Sequence, residues 1–234
     1  MKYLADITCG YVKVPVGCIG ELEHGKKALL YLHGNGSSIE RQEVPTTMLY
    51  EATNIPIILP EYSGHGDNTA VDYEETMPAM HMMEVLVAYD WLCTQVGEEN
   101  IVVYGTSYGG MLTAAIMKWR TPHKVILFAP TFIRDEKLYT GLKRGEALSP
   151  FVNRQTQAEV ANIILQATSG HEVDLLVMKA EYDESVAPHV VDAWVDVYPS
   201  AKLVTISNAR HSIKQSSQEA QDEWLETIRE YVNG

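Results

Sequence analysis

The chain is poor in cysteine. Its 234 residues include only Cys9, Cys18 and Cys93, an odd number without the paired spacing of a zinc site. This argues against a disulfide framework, although Cys9 and Cys18 are close enough in sequence to pair. We expect all three to behave as small buried apolar side chains.

Basic residues and long hydrophobic runs are also scarce. Eighteen Lys and Arg stand against 31 Asp and Glu, a formal net charge of −13 at pH 7. So acidic a surface repels phosphate backbones and anionic lipid headgroups, so we expect no binding to nucleic acid or to a membrane surface. The N-terminal MKYLADITCG lacks the apolar run of a signal peptide, and no later segment could span a bilayer. These absences predict a cytoplasmic protein.

Short apolar runs alternate with longer amphipathic segments along the chain. The runs are nearly continuous in apolar character, as strands are when helices cover both faces of a parallel sheet. They lie at residues 28–32, 55–59, 101–104, 125–129, 175–180 and 202–206. Helices are predicted at residues 78–96, 108–119, 157–166, 189–198 and 216–232. This rhythm predicts an α/β fold with a mostly parallel sheet between two helical layers.

Two segments depart from the rhythm. Residues 11–23, broken by Pro15, Gly17 and Gly20, predict an antiparallel hairpin that leads into the sheet. Residues 131–174 are too many for an ordinary connection between a strand and a helix. We therefore predict a single domain over residues 1–234 with a cap inserted at about 131–174.

One serine lies between two glycines where a predicted strand turns into a helix. The segment from Gly105 to Gly109, GTSYG, fits the nucleophile-elbow pattern G-x-S-x-G. A turn this sharp leaves no room for side chains two positions either side of the serine. It would hold the Ser107 hydroxyl at the carboxyl edge of the sheet, at a helix N-terminus that favours negative charge. The pattern predicts a nucleophile; the alternative is an inert serine in a glycine-rich turn.

A serine hydroxyl needs a base, which a carboxylate must orient, and in this architecture the chain order is serine, acid, histidine. Of eight histidines, only His211 follows the last predicted strand. The acid is expected just past the run at 175–180. Asp183 is the preferred residue, with Glu181 and Glu184 as alternatives.

A tetrahedral intermediate also needs N–H donors for its oxygen. One is the backbone N–H of Tyr108, next to the nucleophile, and the other is expected from the loop HGNGSS at residues 33–38. Within this loop Asn35 is the favoured donor and Gly36 the alternative. We expect Gly34 and Gly36 to let the backbone approach the substrate, and His33 to orient the loop and contribute weakly to substrate binding.

These motifs together resemble an α/β-hydrolase over nearly the whole chain. HGNGSS, SGHGDN, GTSYGG, the acid in KAEYDES and the histidine in NARHS occur in the family's order and approximate spacing. The chain is similar to small esterases and to the monoglyceride-lipase and serine-aminopeptidase-like branch. The resemblance implies eight strands, a catalytic triad of Ser107, Asp183 and His211, oxyanion donors at Asn35 and Tyr108, and a cap between the sixth and seventh strands.

The sequence thus predicts a serine hydrolase, a carboxylesterase for small or medium acyl or aryl esters that acts through an acyl-enzyme. It needs no metal or organic cofactor, and its partner is a small-molecule ester substrate. A peptidase or thioesterase would use the same residues and differ in the leaving group, and a receptor that retains the pocket without catalysis is a third hypothesis. The oligomeric state stays open, a homodimer included.

Overall fold

The computed structural model describes residues 2–9, 12–132, 152–168 and 170–234. These residues form one eight-stranded sheet in the order β1-β2-β4-β3-β5-β6-β7-β8. The strands are β1 Lys2–Cys9, β2 Val12–Ile19, β3 Ala28–Leu32, β4 Ile57–Pro60, β5 Ile101–Thr106, β6 Lys124–Phe128, β7 Asp174–Tyr182 and β8 Lys202–Arg210.

Pairing is antiparallel only at the β1 side of the sheet. Strand β2 runs antiparallel to β1 and to β4, whereas every other neighbouring pair, from β4 through β3 to β8, is parallel. The carboxyl ends of the parallel strands therefore meet along one edge, where an open α/β sheet binds its ligands. The predicted fold class is confirmed.

Helices cover both faces of the sheet, and each face has its own apolar core. The α-helices are α1 Glu43–Thr53, α2 Pro78–Val96, α3 Tyr108–Trp119, α4 Gln157–Ala167, α5 Pro188–Val197 and α6 Gln218–Asn233. Buried residues of α2, α3, α4 and α5 share one core, and those of α1 and α6 share the other. This double covering explains why the parallel strands are apolar at nearly every position.

The N-terminal hairpin begins earlier than predicted, with Pro15 inside β2 rather than at a turn. The carbonyl of Pro15 accepts a hydrogen bond from the Glu61 N–H at 2.8 Å. In a strand, the N–H and the C=O of one residue point to the same side. An N–H at position 15 would therefore also point towards Glu61, the residue just after the end of β4, so its absence costs no hydrogen bond within β4. Proline is tolerated at this position of the strand. The turn that joins β1 to β2, at residues 10–11, lies outside the described residues.

The three cysteines are free, so the pairing of Cys9 with Cys18 that the spacing allowed is absent. Cys18 is buried and Cys93 is partly buried, but Cys9 is exposed at the end of β1. The expectation that all three are buried is therefore wrong for Cys9.

The predicted cap is described only in part. Its helix, α4, begins with a capping box in which the Thr156 side chain accepts from the Glu159 N–H and the Glu159 carboxylate accepts from the Thr156 N–H. Val160 and Ile164 on this helix are buried in the same core as α3 and α5. Residues 133–151 lie outside the described residues. Among the described helices, none is long and apolar enough to cross a membrane.

Candidate active site

Ser107 lies on a sharp turn between β5 and α3, with φ 52° and ψ −119°. This backbone geometry is sparsely populated for any residue with a side chain. A Cβ on Gly105 would lie 2.3 Å from Thr113 Oγ1, and one on Gly109 would lie 2.0 Å from the Leu32 carbonyl oxygen. The turn therefore requires glycine at both positions, as the G-x-S-x-G pattern predicts.

Main-chain hydrogen bonds to β6, to α3 and to the segment after β6 hold this turn in place. The Ser107 N–H donates to the Phe128 carbonyl at 3.1 Å. The Ser107 carbonyl accepts from the N–H groups of Gly110 at 2.9 Å and Thr131 at 3.1 Å. Three main-chain hydrogen bonds thus fix the backbone of the serine.

His211 lies between Ser107 and Asp183. Its Nδ1 is 3.0 Å from the Asp183 carboxylate, and its Nε2 is 2.9 Å from Ser107 Oγ. Because an ionised carboxylate only accepts hydrogen bonds, Nδ1 carries the hydrogen. In the neutral ring, Nε2 then accepts the hydrogen bond of the serine hydroxyl, which is the geometry for transferring that proton to the imidazole.

Two backbone N–H groups hold the Asp183 carboxylate against the imidazole. The side chain is only 6% exposed, and its Oδ1 accepts from the N–H groups of Ser185 and Val186, each at 2.8 Å. The two alternative acids have other partners. Glu181 accepts from the Asn208 N–H on β8 at 2.7 Å and Glu184 from the His211 N–H at 3.4 Å, so both contact the backbone and neither is shown on the imidazole.

The register of β7 and β8 accounts for the meeting of acid and histidine. Both strands are longer than predicted, and their last paired residues are Tyr182 and Arg210. Asp183 and His211 are each the next residue after this pair. Asp183 and His211 therefore lie side by side just beyond the carboxyl edge of the sheet.

The loop at residues 33–38 approaches the serine from the other side. A Cβ on Gly34 would lie 3.4 Å from Ser107 Cβ and 3.8 Å from its Oγ, in van der Waals contact with the serine, so the backbone of Gly34 lies directly beside the nucleophile. Asn35 and Gly36 line the same cleft, and the Asn35 side chain accepts a hydrogen bond from the Tyr73 hydroxyl at 2.7 Å. The cleft encloses about 230 Å³. Its described walls are Tyr31, Gly34, Asn35, Gly36, Ser37, Arg41, Gln42, Pro45, Thr106, Ser107, His211, Ser212, Ile213 and Lys214.

His33 lies beneath this loop and has no exposed surface. Its Nδ1 is 2.9 Å from the Gly34 carbonyl, its ring stacks on Tyr62 with centroids 4.1 Å apart, and its Nε2 is 3.6 Å from the Glu61 carboxylate. The predicted contact of His33 with substrate is therefore wrong, because the ring is used to support the loop from below. Its predicted role in orienting the loop agrees with these contacts.

The sequence did not reveal a cluster of buried polar side chains on α2. His81 and Glu84 project from α2, with no exposure for His81 and 4% for Glu84, and they contact Ser63 and Tyr108. Burial raises the pKa of Glu84 to about 7, although hydrogen bonds from the Ser63 hydroxyl and N–H act in the opposite direction. A histidine and a glutamate three positions apart in the otherwise apolar first part of α2, residues 78–88, were the signal that could have revealed it.

No group of three or more His, Cys, Asp or Glu side chains among the described residues is arranged to hold a metal ion. The contacts at Ser107 link an alcohol, an imidazole and a carboxylate. Transfer of the hydroxyl proton to the imidazole makes a serine nucleophilic.

A mostly parallel sheet with a serine on its nucleophile elbow, and with aspartate and histidine beyond two later strands, defines the protein as an α/β-hydrolase. The chain belongs to the prolyl oligopeptidase family, whose family model matches residues 82–233. Ser107, Asp183 and His211 all lie within the matched range. A search of curated protein sequences finds no match.

Solved structures of α/β-hydrolases resemble the chain along almost its whole length. An esterase from Thermogutta terrifontis, solved with malate bound, has a TM-score of 0.67 at 16% identity and covers 100% of this chain and 98% of its own. A bromoperoxidase from Bacillus anthracis has 0.66 at 14%, covering 98% and 99%. The Francisella virulence factor BioJ has 0.67 at 20%, covering 98% and 83%. At these identities the likeness shows the fold alone.

Proposed function

We propose that this α/β-hydrolase is a serine esterase that cleaves small or medium acyl or aryl esters through an acyl-enzyme. The observation that carries the proposal is the position of the His211 ring, which lies within hydrogen-bond distance of Ser107 on one side and of Asp183 on the other. A hydroxyl in this arrangement has the base that a serine nucleophile needs, and the base has its orienting acid.

In the proposed mechanism, Ser107 Oγ attacks the ester carbonyl carbon while His211 Nε2 takes the hydroxyl proton. The carbonyl oxygen becomes an oxyanion, which accepts hydrogen bonds from the main-chain N–H groups of Tyr108 and Asn35. Nε2 then gives its proton to the departing alcohol, and the acyl group stays on Oγ. Water attacks this acyl-enzyme in the same way and releases the carboxylic acid, while Asp183 keeps the hydrogen on Nδ1.

Among acyl-transfer reactions of this site, cleavage of an ester is chemically easier than cleavage of an amide. An alkoxide or phenoxide leaves more readily than an amide nitrogen, so a site that expels an amine through this route also expels an alcohol. The cleft of about 230 Å³ beside Ser107 is smaller than typical drug-sized pockets of roughly 300–1,000 Å³. Its size supports a short acyl group.

A peptidase is the second candidate, and the family match favours it because the family is named for prolyl oligopeptidase. Peptide cleavage would use the same serine, histidine and aspartate. The two candidates therefore differ in the relative kcat/KM for amide and ester substrates that share one acyl group.

The nucleophile is tested with Ser107→Ala and a fluorophosphonate probe. The wild-type protein should form a covalent adduct on Ser107, located by mass spectrometry, and Ser107→Ala should lower kcat by a factor on the order of 10⁴ or more with an unchanged circular dichroism spectrum. Ser207→Ala is the matched control, because Ser207 is an exposed serine on β8. A Ser107→Ala variant within tenfold of wild type would remove this residue from the mechanism.

The reaction class is tested with a substrate panel. It contains p-nitrophenyl esters of graded chain length, aminoacyl amides and acyl-thioesters. We expect the highest kcat/KM for short esters; a higher value for amides would replace the esterase by the peptidase. A protein that binds these compounds but forms no adduct and turns none of them over would be a receptor.

A further inference from the structure

We propose that His81 is a positioning residue for catalysis, because it fixes Tyr108 and thereby the main-chain N–H that faces the oxyanion. The inference rests on the proposed function, in which Tyr108 supplies that N–H. It assigns a role to a side chain on α2 that contacts neither Ser107 nor His211 in the described contacts.

The contact between the two side chains is short and buried. The Tyr108 hydroxyl is 2.9 Å from His81 Nδ1, and the rings meet at 90° with their centroids 5.8 Å apart. Tyr108 is 1% exposed and His81 has no exposure. A hydrogen bond closed off from water is not weakened by exchange with solvent.

The second nitrogen of His81 determines the direction of this hydrogen bond. His81 Nε2 is 3.0 Å from the Ser63 carbonyl, and since a carbonyl can only accept, Nε2 carries the hydrogen. In the neutral ring Nδ1 is then an acceptor, so the Tyr108 hydroxyl donates to it. The tautomer of one histidine thus orients the hydroxyl of the residue after the nucleophile.

Glu84 fixes Ser63, the residue whose carbonyl accepts the hydrogen bond from His81. The Ser63 N–H donates to the Glu84 carboxylate at 3.1 and 3.2 Å, and the Ser63 hydroxyl donates to the same carboxylate. Ser63 is therefore fixed by its backbone and its side chain, so its carbonyl is a stationary partner for His81. Both Glu84 and His81 project from α2, so one helix carries both side chains that position Ser63 and Tyr108.

The position of Tyr108 matters because it is the first residue of α3. The Tyr108 N–H has no partner within the helix, and it shares one peptide unit with the Ser107 carbonyl, which Gly110 and Thr131 hold. The buried Tyr108 side chain anchors the other side of this peptide unit, so loss of that anchor lets the N–H shift. An oxyanion exists only in the transition state and the intermediate. A misplaced N–H should therefore lower kcat and leave KM nearly unchanged.

Two substitutions of His81 separate its two contacts. The amide of asparagine reaches the place of Nδ1, so His81→Asn keeps a partner for Tyr108 and loses the one for Ser63. The amide of glutamine reaches the place of Nε2, so His81→Gln does the opposite. Tyr108→Phe removes the hydroxyl alone. Tyr89→Phe is the control, since Tyr89 is a buried tyrosine on α2, the helix of His81, and its hydroxyl contacts Glu98 instead.

We expect Tyr108→Phe and His81→Gln to lower kcat about tenfold with KM within twofold, and His81→Asn and Tyr89→Phe to stay within threefold of wild type. Affinity for a trifluoromethyl ketone, which adds to the serine and forms an oxyanion, should fall in proportion to kcat. Urea unfolding of each variant separates this pattern from lost stability, because stability alone does not change the ratio of inhibitor affinity to KM.

The outcomes distinguish this inference from the proposed function. If wild type is labelled on Ser107 and active, while Tyr108→Phe and His81→Gln keep wild-type kcat and inhibitor affinity, the positioning role is wrong and the esterase stands. Equal losses in His81→Asn and His81→Gln also overturn it, because they would show that the ring matters only for packing. If wild type neither reacts with the probe nor turns over any ester, both proposals fall.

Discussion

Glu84 makes the stability of the folded protein depend on pH. Burial raises its pKa from an ordinary value of 4.5 to about 7, so the folded chain holds this proton more tightly than the unfolded chain does. Between these two values the folded state binds more protons. The free energy of unfolding therefore falls as pH rises through this window.

Glu84→Gln should remove this dependence. We expect wild type to lose about 3 kcal/mol relative to Glu84→Gln between pH 4.5 and 8, because a shift of one pKa unit corresponds to about 1.4 kcal/mol. Urea unfolding at pH 4.5, 6, 7 and 8 measures the difference. Glu51→Gln, at an exposed position of α1, should follow wild type. Parallel curves for wild type and Glu84→Gln would show that Glu84 titrates normally.

Two glycines with different surroundings allow a second test at the residue scale. A Cβ on Gly109 would lie 2.0 Å from a backbone oxygen, which no rotamer change can relieve, so Gly109→Ala should cost about 3 kcal/mol or more. Gly25 has φ +80° but no atom within 4 Å of an added Cβ, so Gly25→Ala should cost only about 1 kcal/mol. Equal losses in urea unfolding would contradict the steric requirement at the elbow.

At the scale of elements, neighbouring strands β7 and β8 place acid and histidine together. Asp183→Asn keeps the size of the side chain, but an amide that turns its NH₂ towards Nδ1 favours the tautomer with the hydrogen on Nε2. The kcat for a short ester should then fall by a factor on the order of 10³–10⁴. Asp222→Asn, at an exposed position of α6, is the control and should stay within about threefold. Activity near wild type in Asp183→Asn would leave the acid unassigned.

The strands and turns that the sequence predicted are those whose pattern lies in consecutive residues. The apolar runs identified the parallel strands, and the turn glycines identified the elbow, because covering a sheet on both faces and bending a chain sharply leave marks on adjacent residues. Strand β1 was not predicted because MKYLADITC has no strong apolar pattern and pairs only at the edge of the sheet. The buried contacts of His81 were missed because they join α2 to a loop and to α3, at separations of 18 and 27 residues that no periodicity records.

At the scale of the whole molecule, the charge around the cleft differs from the charge of the chain. Net charge is −13, yet the described walls of the cleft include Arg41 and Lys214 and no Asp or Glu. At physiological salt the Debye length is about 8 Å, so distant surface acids are largely screened while cations at the cleft still act on a bound group.

We therefore predict that Arg41→Gln selectively weakens turnover of anionic esters. The ratio of kcat/KM for p-nitrophenyl hemisuccinate to that for p-nitrophenyl butyrate should fall about two- to fivefold, which corresponds to a surface ion pair of up to about 1 kcal/mol. Arg229→Gln on α6, where Arg229 pairs with Glu226 instead, is the matched control. An unchanged ratio at 150 mM salt would show that Arg41 does not act on the acyl group.

The strand order divides the site between two wings of the sheet. The loop after β3 lies on one side of the nucleophile, the residues after β7 and β8 lie on the other, and Ser107 follows β5 between them. In the proposed reaction, one wing stabilises charge and the other moves protons. In directed evolution, mutations in residues 33–38 can therefore change which carbonyl substrates are accepted. Mutations around residues 183 and 211 can change the pH at which the enzyme works. The two regions can be varied separately, because they lie on opposite sides of the nucleophile.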